Sequence, residues 1–333
     1  MSYSGATNPS LSELNLLIVS DGKPGHLNQS LGLQAALERS LPKQLACSCS
    51  IQPPLSPFQN LGLGFGSKPA DWPEQADIVI GAGHASHLTI LAASKYYGAK
   101  SVVLMKPSLP RTLFDFCVVP QHDGLEEKGN TLLSLGALNP VYYQGQKKRL
   151  KMILLGGPSK HFEWLEEDLL GQLKDILSEA GPDKAEPWMI LTSRRTPESF
   201  KKALQNLLSN GVGNGGLAAA TVKLIHPDDV PSGWLAEQLP MASLCWVSPD
   251  SVSMVYEALT AEAQVAIFDM PVNLPVSRVA KGVQELSEQA RVDNYPAWSE
   301  RGKGELKANS EAFNQADKIA RKLLALNIVD RVV

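Results

Sequence analysis

The sequence predicts an α/β protein built from two doubly wound domains, each a parallel sheet with helices on both faces. Three observations lead there. The chain has 333 residues, room for two domains of roughly 150 each. Short apolar runs with β-branched members alternate with helical patterns over most of its length, the signature of parallel α/β units. That alternation breaks between Gly136 and Lys151, where Asn139-Pro140 and the polar run from Gln144 to Lys151 mark a linker. The expected organisation is a flexible tail over 1–11, an N-terminal domain over 12–140, a C-terminal domain over 141–308 and a closing segment over 309–333 whose helix is free to pack back on the N-terminal domain.

Leu14 to Ser20 is an apolar run closed by Asp21-Gly22-Lys23-Pro24-Gly25, and His26 to Arg39 reads as a helix. Leu45 to Ile51 and Asp77 to Ile80 are the next strands, the latter passing through Gly81-Ala82-Gly83-His84 into a helix from Ala85 to Tyr97. Cys47 and Cys49 are two apart, so they share one face of their strand. Ser101 to Met105 and Phe116 to Val119 follow as strands. Pro53 to Pro73 is rich in proline and glycine and predicts a long loop.

The second series opens with the strand Met152 to Leu155 and the turn Gly156-Gly157-Pro158. Phe162, Leu165, Leu169, Leu173 and Ile176 are spaced for one buried helical stripe. Trp188 to Leu191 predicts a strand, followed by Thr192-Ser193-Arg194-Arg195-Thr196-Pro197, with Thr196 expected as N-cap and Pro197 at the first helical position. Strands are expected over Ala219 to Ile225, Leu244 to Val247 and Val265 to Phe268, helices near Gly233 to Gln238 and Ser251 to Ala261, and a last helix from Ser310 to Leu326.

With 44% hydrophobic and 20% charged residues, the chain can bury a core and is not largely disordered. The 31 basic and 34 acidic residues give a net charge of −3, which argues against nucleic acid as a partner and against a polybasic membrane binder. Four cysteines without a CxxC pair are read as reduced thiols, and the segment Met1 to Ser10 lacks the basic and apolar regions of a signal peptide. No run approaches the ~18 apolar residues of a membrane span, so the expected location is the cytoplasm, with peripheral membrane contact left open.

In parallel sheets ligands bind at the carboxyl ends of strands, so the turns there carry the candidates. Asp21-Gly22-Lys23-Pro24-Gly25-His26-Leu27-Asn28-Gln29 gathers an acid, a histidine and two amides around glycines, a composition that suits acid–base work or, equally, an ordinary exposed turn. His84 and His87 after Gly83 read as substrate contacts or helix caps; no ligand at suitable spacing makes them a metal site. Asp115, His122 and Asp123 flank the fifth strand and are further candidates for the same face.

In the second half, the turn Ser248-Pro249-Asp250-Ser251-Val252-Ser253 opens a helix whose N-terminus would hold a phosphate. Glu257 shares a helix face with Ser253 and could accept from ribose hydroxyls; an N-cap with a solvated glutamate is the other reading. Ser193, Arg194 and Arg195 form a second phosphate candidate in which one arginine reaches the ligand and the other pairs with a surface carboxylate. Gly156-Gly157-Pro158-Ser159 resembles a phosphate loop loosely. No GxxxxGK[ST] or GxGxxG pattern occurs.

The ordered motifs DGKPGHLNQSLGL, GAGHASH, PSLPRTLFDFCVVPQHD, LLGGPSKHF, TSRRTP and SPDSVSMVYEA resemble the family of the plant mitochondrial-fission (elongated-mitochondria) protein and its bacterial relatives, from Leu14 to Phe268. Bacterial members commonly carry the label of nucleoside-diphosphate-sugar epimerases, and the family is similar to glycosyltransferases of the GT-B fold. The resemblance implies two Rossmann-like domains facing a cleft, a nucleoside-diphosphate sugar as substrate, an acceptor not identified, and no permanently bound cofactor or metal. It implies His26 as the acceptor-facing base, Ser251 and Ser253 at the phosphate, Glu257 at the ribose and Arg195 at the diphosphate. The turns themselves add Asp21 beside His26, Gly25, Asn28, Gln29, Gly83 and His84 as acceptor candidates, and Gly157, Ser193 and Arg194 as nucleotide candidates. Two positions depart from the family pattern: Glu262-Ala263-Gln264 replaces the usual Gly-x-Pro turn, and Gln121 stands where relatives tend to carry an acid.

The leading expectation is a nucleotide-sugar-dependent glycosyltransferase. The alternatives are a nucleoside-diphosphate-sugar epimerase and a binding or scaffold protein that kept the fold without the chemistry.

Overall fold

The computed structural model describes residues 13–179, 186–210, 222–273, 277–306 and 312–329; the tail, the start of the strand expected from Ala219 and the start of the last helix lie outside them. The chain divides into two compact units, one running to Pro140 and resuming at Gln315, the other spanning Val141–Asn314.

The first unit begins with β1 (Glu13–Val19), α1 (Pro24–Ser40), β2 (Ala46–Gln52), α2 (Pro57–Gly64), β3 (Ile78–Ala82) and α3 (His87–Tyr97). It continues with β4 (Lys100–Leu104), β5 (Phe116–Pro120) and β6 (Thr131–Ser134). All pairs are parallel in the order β2-β1-β3-β4-β5-β6. Alternation along β1 sends Leu14, Leu16 and Ile18 to the face covered by α1, and Leu17 and Val19 to the face covered by α2 and α3. Gly32 lets α1 approach the chain at Asn139, where a Cβ would lie 2.5 Å from the backbone carbonyl carbon.

The second unit holds β7 (Leu150–Leu154), α4 (Glu166–Ser178), β8 (Trp188–Leu191), α5 (Glu198–Ser209), β9 (Val222–Ile225), α6 (Trp234–Gln238) and β10 (Ala242–Val247). After it come α7 (Val252–Thr260), β11 (Gln264–Ile267), α8 (Arg278–Glu288), β12 (Asp293–Asn294) and α9 (Tyr295–Glu300). Its sheet is also parallel, in the order β12-β11-β10-β7-β8-β9. The closing helix α10 (Gln315–Ala325) belongs to the first unit, where Ile319, Ala320 and Leu323 join the core of α1 and Asp317 accepts from Arg39 at 2.6 Å. Both sheets are therefore doubly wound α/β, and each reverses strand order once, at β1/β3 and at β7/β10.

Several local expectations are corrected. The loop expected over Pro53–Pro73 contains α2, nucleated by a reciprocal cap: the Ser56 hydroxyl accepts from the Gln59 amide and the Gln59 side chain accepts from the Ser56 amide. Phe162 and Leu165 precede α4; Phe162 instead forms a bridge with Val272. Pro197, not Thr196, caps α5, because the Thr196 hydroxyl accepts from the Ser193 amide at 2.8 Å and donates to the turn after β7 in place of accepting from a helix amide. Strands β6 and β12 and helices α8 and α9 add to the predicted elements.

The departure at Glu262 preserves its turn. Glu262 takes the left-handed conformation, φ +55°, directly after the C-cap Ala261, with its amide on Leu259 O at 3.0 Å and the Ala263 amide on Ala258 O at 3.3 Å. This is a Schellman closure with a glutamate where glycine is the unstrained residue. Glu262→Gly is expected to raise unfolding stability by up to about 1 kcal/mol, the αL cost less the added chain entropy of glycine. Chemical denaturation of the two proteins checks this, and a loss of stability would show that the glutamate side chain holds the turn.

Candidate functional site

At the first reversal, the turn after β1 carries a carboxylate and an imidazole in direct contact. Both Asp21 oxygens lie 3.0 Å from His26 Nδ1, on the first turn of α1, where Pro24 fits because the first helical amides need no partner. The Asp21 side chain is only 8% exposed. Burial alone would raise its carboxyl, but the Lys23 amide and the His26 and Lys23 side chains outweigh it and hold it below its ordinary value. An ionised carboxylate can only accept, so His26 Nδ1–H donates to Asp21 and, in the neutral ring, Nε2 keeps its lone pair. This arrangement can take a proton from a hydroxyl and stabilise the resulting imidazolium.

Gly83, at the end of β3, forms the wall of this pair. Its φ is +81°, and a Cβ there would stand 2.5 Å from His26 Cε1. Glycine is thus required for two reasons, conformation and contact. Gly25 is exposed, Gln29 is buried with its amide donating to Gly25 O at 3.3 Å, and Asn28 is partly exposed on α1. His84 is exposed beside Gly83. His87 is core: it contacts Ser108 Oγ at 3.2 Å and the edge of Phe114, and burial followed by the nearby His84 lowers its pKa. Asp115 is removed from the candidates. It precedes β5 at the amino end of the sheet and accepts from the Ser101 amide and hydroxyl at 2.8 and 2.7 Å.

At the second reversal, the turn after β7 is gripped from both neighbouring strands. From β10, Ser248 Oγ accepts from the Gly156 amide at 2.7 Å and Asp250 Oδ2 from the Gly157 amide at 2.9 Å. From the turn after β8, the Ser193 and Thr196 hydroxyls donate to Gly156 O. Arg195 donates to Gly157 O at 3.0 Å, to Pro158 O at 3.2 Å and to Asp250 Oδ2 at 2.8 Å. Any Cβ on Gly156 or Gly157 would fall within 2.2 Å of Asp250 or of the Arg195 carbonyl. The Asp250 side chain is fully buried, and its Oδ1 has no hydrogen-bond partner among the described residues. Asp250 was absent from the sequence candidates; the signal was there, an acid in the turn after a strand, but its partners Gly157 and Arg195 follow the neighbouring strand and the one beyond it.

Arg194 turns to the surface, 3.8 Å from the exposed Asp228, while Arg195 remains 45% exposed above its partner. Both line a cavity of about 340 Å³ together with Thr192, Trp234 and Met254. That cavity joins the Arg194-Arg195 turn to α7. At the start of α7 the Ser251 side chain makes no capping bond and Ser253 is exposed. Glu257, one turn on, is partly buried, has no hydrogen bond or ion pair to its carboxylate among the described residues, and burial pushes its carboxyl up to about 7. His161, also missed, accepts from or donates to Ser277 Oγ at 2.6 Å in the loop beyond Gly157.

The sequence model of the family described as mitochondrial fission ELM1 matches residues 24–326. The chain belongs to the mitochondrial fission ELM1 family. Within the reach of sequence comparison, it is similar to the uncharacterized protein RP120 of Rickettsia prowazekii strain Madrid E, 23% identical over 264 residues, 66% of this chain and 72% of that one. Among solved structures it is similar to a Methanocaldococcus jannaschii UDP-GlcNAc 2-epimerase in complex with UDP-GlcNAc and UDP, at 12% identity and a TM-score of 0.46, covering 94% of this chain and 99% of that one. It is also similar to Phytolacca americana UGT2 complexed with UDP-2fluoro-glucose and pterostilbene, at 10% identity and a TM-score of 0.43, covering 96% and 91%. Among the described residues of this ELM1-family chain, no helix is long and apolar enough to cross a membrane, and no group of three or more His, Cys, Asp or Glu is placed to hold a metal.

The Glu257 carboxyl yields a pH-dependent stability of defined sign. Its folded value of about 7 lies above the ordinary 4.5, so between these values the folded state binds the extra proton and stability falls as pH rises. Glu257→Gln removes this loss: its advantage over the native protein should be small near pH 4 and grow to about 3 kcal/mol above pH 7. Denaturation series at both ends check it; an advantage independent of pH would show that burial does not act on this carboxyl.

Proposed function

We propose that this ELM1-family protein is a nucleotide-sugar-dependent glycosyltransferase, with acceptor chemistry on the first unit and the nucleotide on the second. The observation that carries the reading is the Asp21–His26 pair at the β1/β3 reversal, its Nδ1 committed to a carboxylate and its Nε2 left basic. His26 Nε2 takes the proton of an acceptor hydroxyl as that oxygen attacks the anomeric carbon. The bond from that carbon to the diphosphate breaks, and the diphosphate leaves with the electron pair. The N-terminus of α7, with Ser251 and Ser253, meets its charge, and Arg195 adds directional donors. Glu257 accepts from the ribose hydroxyls, and the cavity between the Arg194-Arg195 turn and Met254 takes the nucleoside.

Two experiments test this. A panel of uridine, guanosine, thymidine and cytidine diphosphate sugars should contain one that stabilises the protein by about 2.7 kcal/mol at a hundred times its Kd. His26→Ala should keep that stabilisation while transfer to acceptor falls by about 10²–10⁴. Silence across the whole panel, or full transfer by His26→Ala, defeats the reading. Recovery of an altered free sugar nucleotide with no glycoside formed reassigns the same residues to epimerisation.

A further inference from the structure

Helix α2 presents a surface that the nucleotide-sugar chemistry does not use. Phe58, Leu61 and Phe65 follow one another at helical spacing, and they are 87%, 61% and 84% exposed. These are not floppy tips of a loop. The reciprocal Ser56–Gln59 cap fixes the start of the helix, Asn60 Nδ2 donates to Leu55 O at 3.0 Å, and the Ser67 amide donates to Gly62 O at 2.9 Å beyond its end. The opposite side is anchored by Leu63, which is buried in the cluster with Leu17, Val19 and Trp72. The helix is thus a rigid mount whose outer stripe is apolar.

We infer that this stripe inserts into a lipid surface. From Pro53 to Ser67 the chain carries no charged residue, and the nearest cation, Lys68, is occupied by Glu74 at 2.8 Å and Trp72 O at 2.9 Å. The segment therefore brings no charge of its own by which a protein partner would be oriented, and what it offers is apolar contact. Its size decides between occupants. Two phenylalanines and a leucine expose about 500 Å² at most, below the ~800 Å² per side of a stable protein interface. Separate projecting side chains need no complementary shape in fluid hydrocarbon. Helix α2 starts five residues past the carboxyl end of β2, which the Ser20 amide ties to β1 through Gln52 O at 2.9 Å. The lipid-facing stripe accordingly lies on the outer side of the helix layer that covers one face of the sheet carrying Asp21 and His26. The inference stands without the glycosyltransferase reading.

Flotation of the full-length protein with phosphatidylcholine vesicles, neutral or mixed with phosphatidylserine, tests it. The native protein should float with both, with little effect of salt. The variant Phe58→Ser/Leu61→Ser/Phe65→Ser should partition at least ~100-fold less, with its thermal unfolding midpoint retained. Should the triple variant unfold early, Phe58→Ser alone, at the most exposed position, should lower partitioning about tenfold. Three outcomes overturn the inference: no flotation of the native protein, equal flotation of the variants, or flotation that requires phosphatidylserine and is lost in salt. A native dimer in sedimentation that the substitutions dissolve assigns the stripe to a second copy instead.

Discussion

The reversal of strand order within a parallel sheet is the constraint on which both candidate sites depend. At β1/β3 and at β7/β10 the chain leaves the central strand toward one edge and returns on its other side, so successive helices depart on opposite faces. The backbone at those two carboxyl ends is left uncovered by either helix layer. Turns rich in glycine then bring side chains from neighbouring strands into contact there, as Gly83 does with His26 and as Gly156-Gly157 do with Asp250 and Arg195. The functional residues are far apart in sequence for the same reason: adjacency in the sheet is not adjacency in the chain.

Each unit solves the problem of a buried carboxylate at this point, and the two solutions differ in a way that separates their chemistry. Asp21 accepts from His26 Nδ1, which leaves the other ring nitrogen free for a proton, so the pair can take part in proton transfer. Asp250 is bound to the guanidinium of Arg195, so that pair can orient a ligand but does not serve to exchange a proton. On the proposed reading the first turn serves acid–base work and the second holds an anion. Neither pair is a source of stability in itself, because burying a carboxylate costs desolvation that its partner only offsets. Their worth is in geometry: three acceptors and two glycines leave Arg195 one orientation.

Much of this was legible in the sequence because strands of a parallel sheet, buried on both faces, read as continuous apolar runs, as LNLLIVS and MILL do. The motif turns were legible because they follow those runs. What was not legible depended on partners remote in sequence or on local caps outweighing composition. Proline and glycine between Pro53 and Pro73 masked α2, although Ser56 and Gln59 stood at capping-box spacing. Thr196 had the right identity for an N-cap, but its hydroxyl accepts from the Ser193 amide and donates to Gly156 O, forty residues back, and so serves the turn and not the helix. Asp115 sits on the correct strand at the wrong end, a distinction that strand direction supplies and residue identity does not.

On the proposed reading, the engagement of Arg195 by Asp250 changes how an anion would be held at the second turn. A guanidinium beside a fully buried carboxylate forms a pair with no net charge, so it cannot by itself draw a diphosphate from solution. Attraction must then come from the unpaired amides and partial charge at the start of α7, which act only within about the first turn. Arg195 contributes at contact, through the part of its planar fork that remains exposed, and therefore governs alignment more than encounter. Glu257 works in the opposite sense. A carboxyl that burial keeps near half-protonation at neutrality repels a phosphate less than an ordinary glutamate would, and becomes a full acceptor only when hydroxyl donors arrive to stabilise its charge. Recognition of the sugar-bearing half of a nucleotide would thus be coupled, through one titrating side chain, to tolerance of its charged half.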